Sequence, residues 1–205
     1  MQRSHVLLVL VFISALLLAG CGPRVEVPPG NVGKLSSPDG LQKGIIQPSK
    51  FRLDTQWPLT IGDSLILVQA HDLPAKEKME VFMPKDQLNL TVDVRGTFTI
   101  STNEQNVNKI FAKLQAHSIG DRISQITMQQ TYKTYAEPVI REVVRSNLTK
   151  YSIQEVMKNR ERINAELKKK VYDRLGSTPI KPIYFGLADV QPPPIILKAQ
   201  EKAKE

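Results

Sequence analysis

The sequence contains 205 residues with 28 Lys and Arg, 20 Asp and Glu and one Cys, and its formal net charge is +8. One cysteine cannot form an intrachain disulfide or a Cys-based metal centre. His71 and His117 stand in unrelated contexts, so no metal site and no cofactor is expected. The length suits one large or two small domains, and the positive balance favours an anionic lipid or an acidic partner.

The first twenty residues have the pattern of a secretory signal. Arg3 supplies one positive charge without an acid, and an apolar run extends from Val6 to about Ala19. This run is shorter than the 18 or more apolar residues that a transmembrane helix needs. A basic start, a short apolar stretch and small residues before a cleavage site therefore predict a signal peptide at 1–20.

Leu18, Ala19, Gly20 and Cys21 place a branched apolar residue and two small residues before the only cysteine. This order resembles the lipobox of bacterial lipoproteins. The resemblance implies cleavage between Gly20 and Cys21, a diacylglyceryl thioether on Cys21 and acylation, for example by palmitate, of the new amino terminus. Two or more acyl chains hold a protein firmly on a bilayer. The expected location is the periplasmic side of the cell envelope, on either the outer or the inner membrane.

The region after Cys21 is rich in turns and short strands. Pro38-Asp39-Gly40 is a turn signal, because proline presets one backbone dihedral and glycine supplies the positive one. We predict a hairpin there and strands at 25–27, 32–35, 41–47, 64–71 and 78–83. Residues 87–100 alternate strictly between apolar and polar side chains, which predicts a half-buried antiparallel strand. Gly96 interrupts the apolar series and predicts a bulge or bend.

Helical spacing dominates the second half of the chain. We predict helices at 106–116 and 138–149, the latter starting at Pro138. Ser152 and Glu155 form a capping box that opens a helix reaching Gly176. Its predicted apolar stripe is Ile153, Val156, Met157, Ile163, Leu167, Val171 and Leu175. A strand at 180–190 and a helix beginning at Ile195 complete a chain of the α+β class.

The order of these segments resembles the SPFH (band 7) domain of stomatins, prohibitins and flotillins. The stretches that carry the resemblance are Val27-Pro-Pro-Gly-Asn-Val-Gly33, Lys85-Asp-Gln-Leu-Asn-Leu-Thr-Val-Asp-Val94, Val139-Ile-Arg-Glu-Val-Val-Arg145, Asn159-Arg-Glu-Arg-Ile-Asn-Ala-Glu166 and Phe185-Gly-Leu-Ala-Asp-Val190. The resemblance implies a lipidated linker at 21–26 and an SPFH domain at 27–191. It divides that domain into a β-rich part, 27–102, and an αβ part, 103–191. The start of a coiled-coil helix follows at 192–205.

Two features depart from the family pattern. A lipid on Cys21 takes the place of the usual N-terminal transmembrane segment, and the C-terminal helix covers only about eleven residues of this sequence. The resemblance implies self-association, and ring assembly depends partly on that helix. The residues predicted for a subunit-contact helix are Arg160, Glu161, Arg162, Glu166, Ala199 and Ala203.

Residues 141–174 contain ten Lys or Arg and five acids. One interpretation is a surface for anionic headgroups. The favoured one is a solvated helix face with alternating charge in contact with a neighbouring subunit. No aromatic platform or groove motif accompanies the charge, so no nucleic acid is expected. No nucleophile motif or phosphate loop is present, so we expect neither catalysis nor a small-molecule substrate.

The sequence thus predicts a non-enzymatic, lipid-anchored membrane-surface scaffold that self-associates and organises membrane or regulates a membrane protease. A second hypothesis is a small monomeric envelope lipoprotein that binds and modulates one membrane protein. A third is an exclusion or defence factor carried by a mobile element. The sequence itself contains no residue that decides between these hypotheses.

Overall fold

The computed structural model describes residues 22–56 and 61–202. Leu18, Ala19, Gly20, Cys21 and Ala203 lie outside the described residues. The strands are β1 Arg24–Val27, β2 Asn31–Ser37, β3 Gly40–Leu41, β4 Ser49–Arg52, β5 Thr55–Gln56, β6 Ile61–Gly62, β7 Ser64–Gln69, β8 Leu73–Met83, β9 Leu88–Ile100, β10 His117–Gly120, β11 Ile123–Ile126 and β12 Ile180–Gln191. The helices are α1 Glu104–Phe111, α2 Met128–Tyr135, α3 Glu137–Leu148, α4 Ile153–Lys158, α5 Arg160–Leu175 and α6 Pro194–Lys202.

The mixture of strands and helices confirms the α+β class. The chain forms two compact units, of which one comprises the described residues up to Gln69 with Gln115–Ile126, and the other comprises Ala70–Leu114 with the described residues from Thr127 onward. The boundary therefore differs from the expected division at residue 102. The reason is that β8 and β9, which precede residue 102, pair in one sheet with β12 near the end of the domain.

The first unit is built on a five-stranded sheet with the order β10-β11-β7-β2-β3. Only β11 and β7 run parallel, and a separate ladder joins β1 to β4. The core between these strands consists of Val25, Val27, Leu53, Leu65 and Leu67, each at most 4% exposed. The predicted hairpin is confirmed, since Ser37 pairs with Gly40, whose φ is +121°. The strand expected at 41–47 ends at Leu41, and Ile46 forms only an isolated bridge with Gly33.

The second unit is built on the antiparallel sheet β12-β9-β8. The predicted apolar row of β9 is buried, with Leu90, Val92 and Val94 at most 1% exposed. The expected bulge at Gly96 is wrong, because β8 and β9 pair without interruption from Leu73 opposite Phe98 to Met83 opposite Leu88. The register shifts occur instead on β12. Gly96 is needed for space, since a Cβ there would lie 2.7 Å from the Phe98 ring and 2.8 Å from the Tyr184 carbonyl oxygen.

The predicted helix from Ser152 to Gly176 is confirmed at both ends but is interrupted in the middle. The capping box of Ser152 and Glu155 is formed, and Gly176 is the last cap. Asn159 leaves helical geometry at φ −111° and ψ 31°, which separates α4 from α5. Met157, predicted to be in the apolar stripe, is 37% exposed, whereas its neighbours Ile153 and Val156 are buried.

Helix α2 is an element that the apolar pattern did not predict. Thr127 caps its start, because the Thr127 hydroxyl accepts from the Gln130 N–H while the Gln130 side chain accepts from the Thr127 N–H. Its buried face consists of Met128, Thr131, Tyr132 and Tyr135, and the Tyr132 ring lies 5.2 Å from the ring of Phe98 on β9. Aliphatic periodicity misses this helix because three of the four residues on its buried face are aromatic or hydroxyl side chains.

Candidate assembly surface

Helix α5 closes one edge of the three-stranded sheet. Arg160 donates to the carbonyl oxygens of Leu187 and Ala188 on β12. Asn164 Oδ1 accepts from the Leu187 N–H at 2.7 Å, and Tyr172 Oη donates to the Ile183 carbonyl at 3.0 Å. Arg160 and Asn164 are four positions apart and therefore share one helix face, and Tyr172 reaches β12 from two turns further along. These side chains satisfy backbone groups that an edge strand otherwise leaves open.

Arg160 was predicted to be a subunit contact, whereas no site was predicted at Asn164 or Tyr172. The structure uses Arg160 within its own chain, at the register shift of β12 between Leu187 and Asp189. The signal for Asn164 and Tyr172 is their polar side chains at helical spacing on a helix that also carries an aliphatic stripe. Spacing alone does not show that this row contacts β12. The contact depends on where β12 lies, and that position is set by its pairing with β9.

Two other predicted contact residues lie together on α5. Arg162 and Glu166 form an ion pair at 3.4 Å, and the Tyr151 hydroxyl donates to Glu166 at 2.8 Å. The Arg162 guanidinium lies over the Tyr151 ring, 5.6 Å from its centre. The hydrogen bond to Glu166 raises the pKa of Tyr151. Glu161 is exposed beside this group.

The last two predicted contact residues come near the end of the sequence. Ala199 falls within α6, and Ala203 lies outside the described residues. Helix α6 presents Ile195 and Leu197, which are 64% and 43% exposed. These two positions are two residues apart and therefore point to different sides of the helix, so they do not form one apolar face.

A buried carboxylate joins β8 to α2 and α3. Glu77 accepts from Tyr132 Oη at 3.1 Å and from Arg141 Nη2 at 2.7 Å, and the side chain of Glu77 is only 12% exposed. Glu137 forms a second ion pair with Arg141 at 3.1 Å. Burial and the nearby Glu77 carboxylate raise the pKa of Tyr132 well above its usual value. The group is a polar network that joins both helices to the sheet, within which Arg141 Nε has an ion-pair contact but no hydrogen bond.

The charged turn between β8 and β9 reaches the start of α4. Asp86 Oδ2 accepts from the Ile153 N–H at 2.7 Å, and Lys85 pairs with Glu155 at 3.0 Å. Hydrogen bonding from the Ser152 N–H, with Lys85 as a further cause, lowers the pKa of Glu155. The first turn of α4 thus receives acceptors from Ser152, Glu155 and Asp86, which satisfies donors that a helix start leaves free.

The basic stretch at 141–174 is largely engaged within the chain. Arg141, Arg162 and Arg174 form ion pairs with carboxylates, and Lys170 donates to the Asn147 side chain. Lys150, Lys170 and Arg174 also line an open groove of about 360 Å³ between α3 and α5. This internal pairing favours the interpretation of a solvated, charge-alternating helix face.

Strand β8 forms the other edge of the sheet. Among the described residues, it pairs with β9 alone. Lys76, Lys78, Glu80 and Phe82 alternate along its exposed face, and Phe82 is 56% exposed. Lys76 is held by Asp93 at 3.0 Å, and Asp93 also contacts Arg95 at 3.6 Å. A large exposed aromatic beside charges of both signs is typical of a contact surface.

Within the part of the chain that the structure describes, no three His, Cys, Asp or Glu side chains cluster as metal ligands. In that same part, no helix is both long and apolar enough to span a bilayer. The polar groups described above are engaged in capping, edge closure and helix packing.

The comparisons with known proteins agree with this geometry. The model of the SPFH domain / Band 7 family matches residues 25–205, from the first strand to the end of the sequence. A comparison with curated proteins finds no match. The matched region contains both compact units and the terminal helix. The chain therefore belongs to the SPFH domain / Band 7 family.

Proposed function

We propose that this chain is a non-enzymatic scaffold that is anchored by a lipid to the periplasmic face of a cell-envelope membrane and associates with copies of itself. The observation that carries the proposal is the family match over 25–205, which begins four residues after Cys21. Proteins with this domain associate with membranes, typically oligomerise and are generally not enzymes. The client, on this proposal, is a membrane protease or another envelope protein.

The proposed anchor has a short reach. Strand β1 begins at Arg24, three residues after Cys21, and the Pro23 carbonyl accepts from the Leu53 N–H at 3.0 Å. An extended chain spans at most about 3.5 Å per residue, so three residues reach about 10 Å. A lipid on Cys21 would hold the unit that contains β1 close to the membrane surface. Multiple acyl chains would make that attachment persistent.

A binding role is supported by how the ionisable side chains are used. Glu77 accepts from Arg141, Asp86 from the Ile153 N–H and Glu155 from Lys85, and each of these hydrogen bonds joins separate segments of the second unit. A catalytic group needs a neighbouring base or nucleophile and access to a substrate. These carboxylates instead stabilise helix starts and helix packing, as expected for a domain that presents surfaces.

Membrane attachment is tested with Cys21→Ser. We expect the wild-type chain to fractionate with membranes and its mature N-terminal peptide to carry acyl mass on Cys21. The Cys21→Ser variant should be released from membranes or remain unprocessed. Gly22→Ala is the matched control, because it changes the next residue and keeps the thiol, and it should stay bound. A Cys21→Ser protein that remains on membranes at the mature mass would exclude lipid anchoring.

Self-association is tested by the mass of the full chain in detergent. The scaffold proposal predicts dimers or larger species at tens of micromolar. A monomeric chain at that concentration would exclude the proposed scaffold function. It would favour the alternative hypothesis of a monomeric lipoprotein that modulates one membrane protein.

A further inference from the structure

The two edges of the β12-β9-β8 sheet are treated differently by the fold. The β12 edge is covered by Arg160, Asn164 and Tyr172 of α5. Among the described residues, the backbone of β8 from Leu73 to Phe82 has β9 as its ladder partner and no other. An edge strand of eleven residues with open N–H and C=O groups is a template for one more strand.

We propose that β8 pairs antiparallel with β8 of a second copy, with Met79 opposite Met79 at a two-fold axis. In this register, residues whose numbers add to 158 face each other. In an antiparallel ladder, two directly opposed residues either both point their N–H and C=O groups at the partner strand or both point them away. Such residues alternate along β8, so the two numbers of a pair must add to an even sum. An even sum also keeps the buried row of Met79, Val81 and Met83 on the core face of both copies.

The exposed row of β8 is complementary to itself in this register. Lys78 faces Glu80 of the second copy, and the alkyl chain of Lys76 faces the ring of Phe82. The two-fold axis produces each contact twice. Opposite charges and aromatic pairs directly across an antiparallel ladder stabilise it, and a cation above an aromatic ring adds to this. The register thus accounts for the exposure of Phe82 and uses Lys78 and Glu80, two exposed side chains of opposite charge on one strand.

Neighbouring registers lack this complementarity. Centring the axis on Lys78 places two lysines face to face, and centring it on Glu80 places two glutamates face to face. Centring it on Glu77 sets Lys76 opposite Lys78 twice, and like charges directly opposite destabilise a ladder. Centring it on Val81 leaves Lys78 opposite Pro84. Only the axis at Met79 gives every member of the exposed row, from Lys76 to Phe82, a favourable partner.

This inference rests on the proposed self-association and names the surface that would carry it. A two-fold contact closes at two copies. Assemblies larger than a dimer therefore need a second contact, for which the exposed Ile195 and Leu197 of α6 are available. The opposing interpretation is that Lys76 and Lys78 protect the edge from pairing, as charged residues often do on edge strands.

Charge exchange distinguishes these interpretations, measured by sedimentation of the full chain in detergent. Lys78→Glu and Glu80→Lys should each raise the dimer dissociation constant at least about tenfold, because each converts two attractive pairs into repulsive ones. The double variant should return it to within about threefold of wild type. An equimolar mixture of the two single variants should form a heterodimer, since every pair in it is attractive. Lys43→Glu, the same charge change at an exposed lysine outside β8 and outside the basic stretch at 141–174, is the control and should leave the constant unchanged.

A second measurement avoids dependence on charge reversal. In a Cys21→Ser background, Lys78→Cys and Glu80→Cys chains mixed under mild oxidation should form a disulfide-linked heterodimer, because directly opposed Cβ atoms lie about 5 Å apart. Each chain alone should cross-link poorly, since identical positions are diagonal in this register. A monomeric wild type would overturn the proposed function as well as this inference. The β8 contact would be excluded if the wild type oligomerises and both Lys78→Glu and Glu80→Lys leave its dissociation constant unchanged, or if mixing the two variants does not restore dimerisation. Self-association itself would remain supported in either case.

Discussion

Replacing Glu77 tests whether one buried carboxylate holds α2 and α3 on the sheet. The side chain of Glu77 is 12% exposed, whereas that of Arg141 is 37% exposed and keeps Glu137 as a second partner. Truncation by Glu77→Ala removes the acceptor for both Tyr132 Oη and Arg141 Nη2. The half-exposed arginine turns to water and Glu137, but the hydroxyl of Tyr132, a residue 2% exposed, remains without an acceptor.

The magnitude follows from these two losses. An unsatisfied buried hydroxyl costs about 1 to 3 kcal/mol, and a lost hydrogen bond to a charged group about 1.5 to 3 kcal/mol. The arginine contribution is discounted because solvent screens it. We therefore expect Glu77→Ala to lower the free energy of unfolding by about 3 kcal/mol and Glu77→Gln by about 1 to 2 kcal/mol. Tyr132→Phe, which removes the donor and keeps the ring beside Phe98, should cost about 1 kcal/mol.

Equilibrium urea unfolding of the four proteins, with the double variant Glu77→Ala/Tyr132→Phe, provides the measurement. The double variant should be less destabilised than the sum of the single variants by about 1 kcal/mol or more, because the orphaned hydroxyl is no longer present. An additive double variant, or a Glu77→Ala protein within about 0.5 kcal/mol of wild type, would show that the network contributes nothing to helix packing.

Asp86→Ala should lower the free energy of unfolding by about 1.5 kcal/mol, because it removes an acceptor at the start of α4, and Asp86→Asn should cost less than half of that; chemical unfolding measures both. Gly96→Ala should lower the free energy of unfolding by about 2 to 3 kcal/mol, because the added Cβ would lie less than 3 Å from the Phe98 ring and the Tyr184 carbonyl oxygen. Gly120→Ala is the control and should change the free energy of unfolding little, because a Cβ there has nothing within 4 Å. The pKa of Glu155 is lowered in the folded chain, so its contribution is present above pH 5 and is lost as the pH falls through 4 and below. The protection factors of the amides in the first turn of α4 should fall over that range in wild type, and Glu155→Gln should weaken this dependence.

Much of the second unit follows from local sequence. The alternation at 88–100 determines β9, because the side-chain period of a strand is two and one face is buried. The Ser152 box determines the start of α4, because both of its hydrogen bonds lie within four residues. The charged turn before β9 was also visible as a motif. Its role was not, since Asp86 bonds to a residue 67 positions away.

Other features required the tertiary structure. The break at Asn159 separates two helical segments that each satisfy the helical pattern, so periodicity alone joins them into one helix. Gly96 has the sequence signature of a bulge, but the Phe98 ring and Tyr184 decide its role through space. Helix α2 had a local cap at Thr127, yet its buried face is defined by contact with Phe98 on β9.

The assembly surface shows the same division. The sequence by itself determined the family and the α+β class, because these depend on the order and period of its segments, whereas the lipobox at Cys21 stays a prediction. Only the tertiary structure decided that Arg160 closes the β12 edge, while the strand that carries Lys76 to Phe82 pairs, among the described residues, with β9 alone. The physical reason is that a strand becomes an edge through the pairing of distant segments, and no period within one segment records which neighbours it lacks.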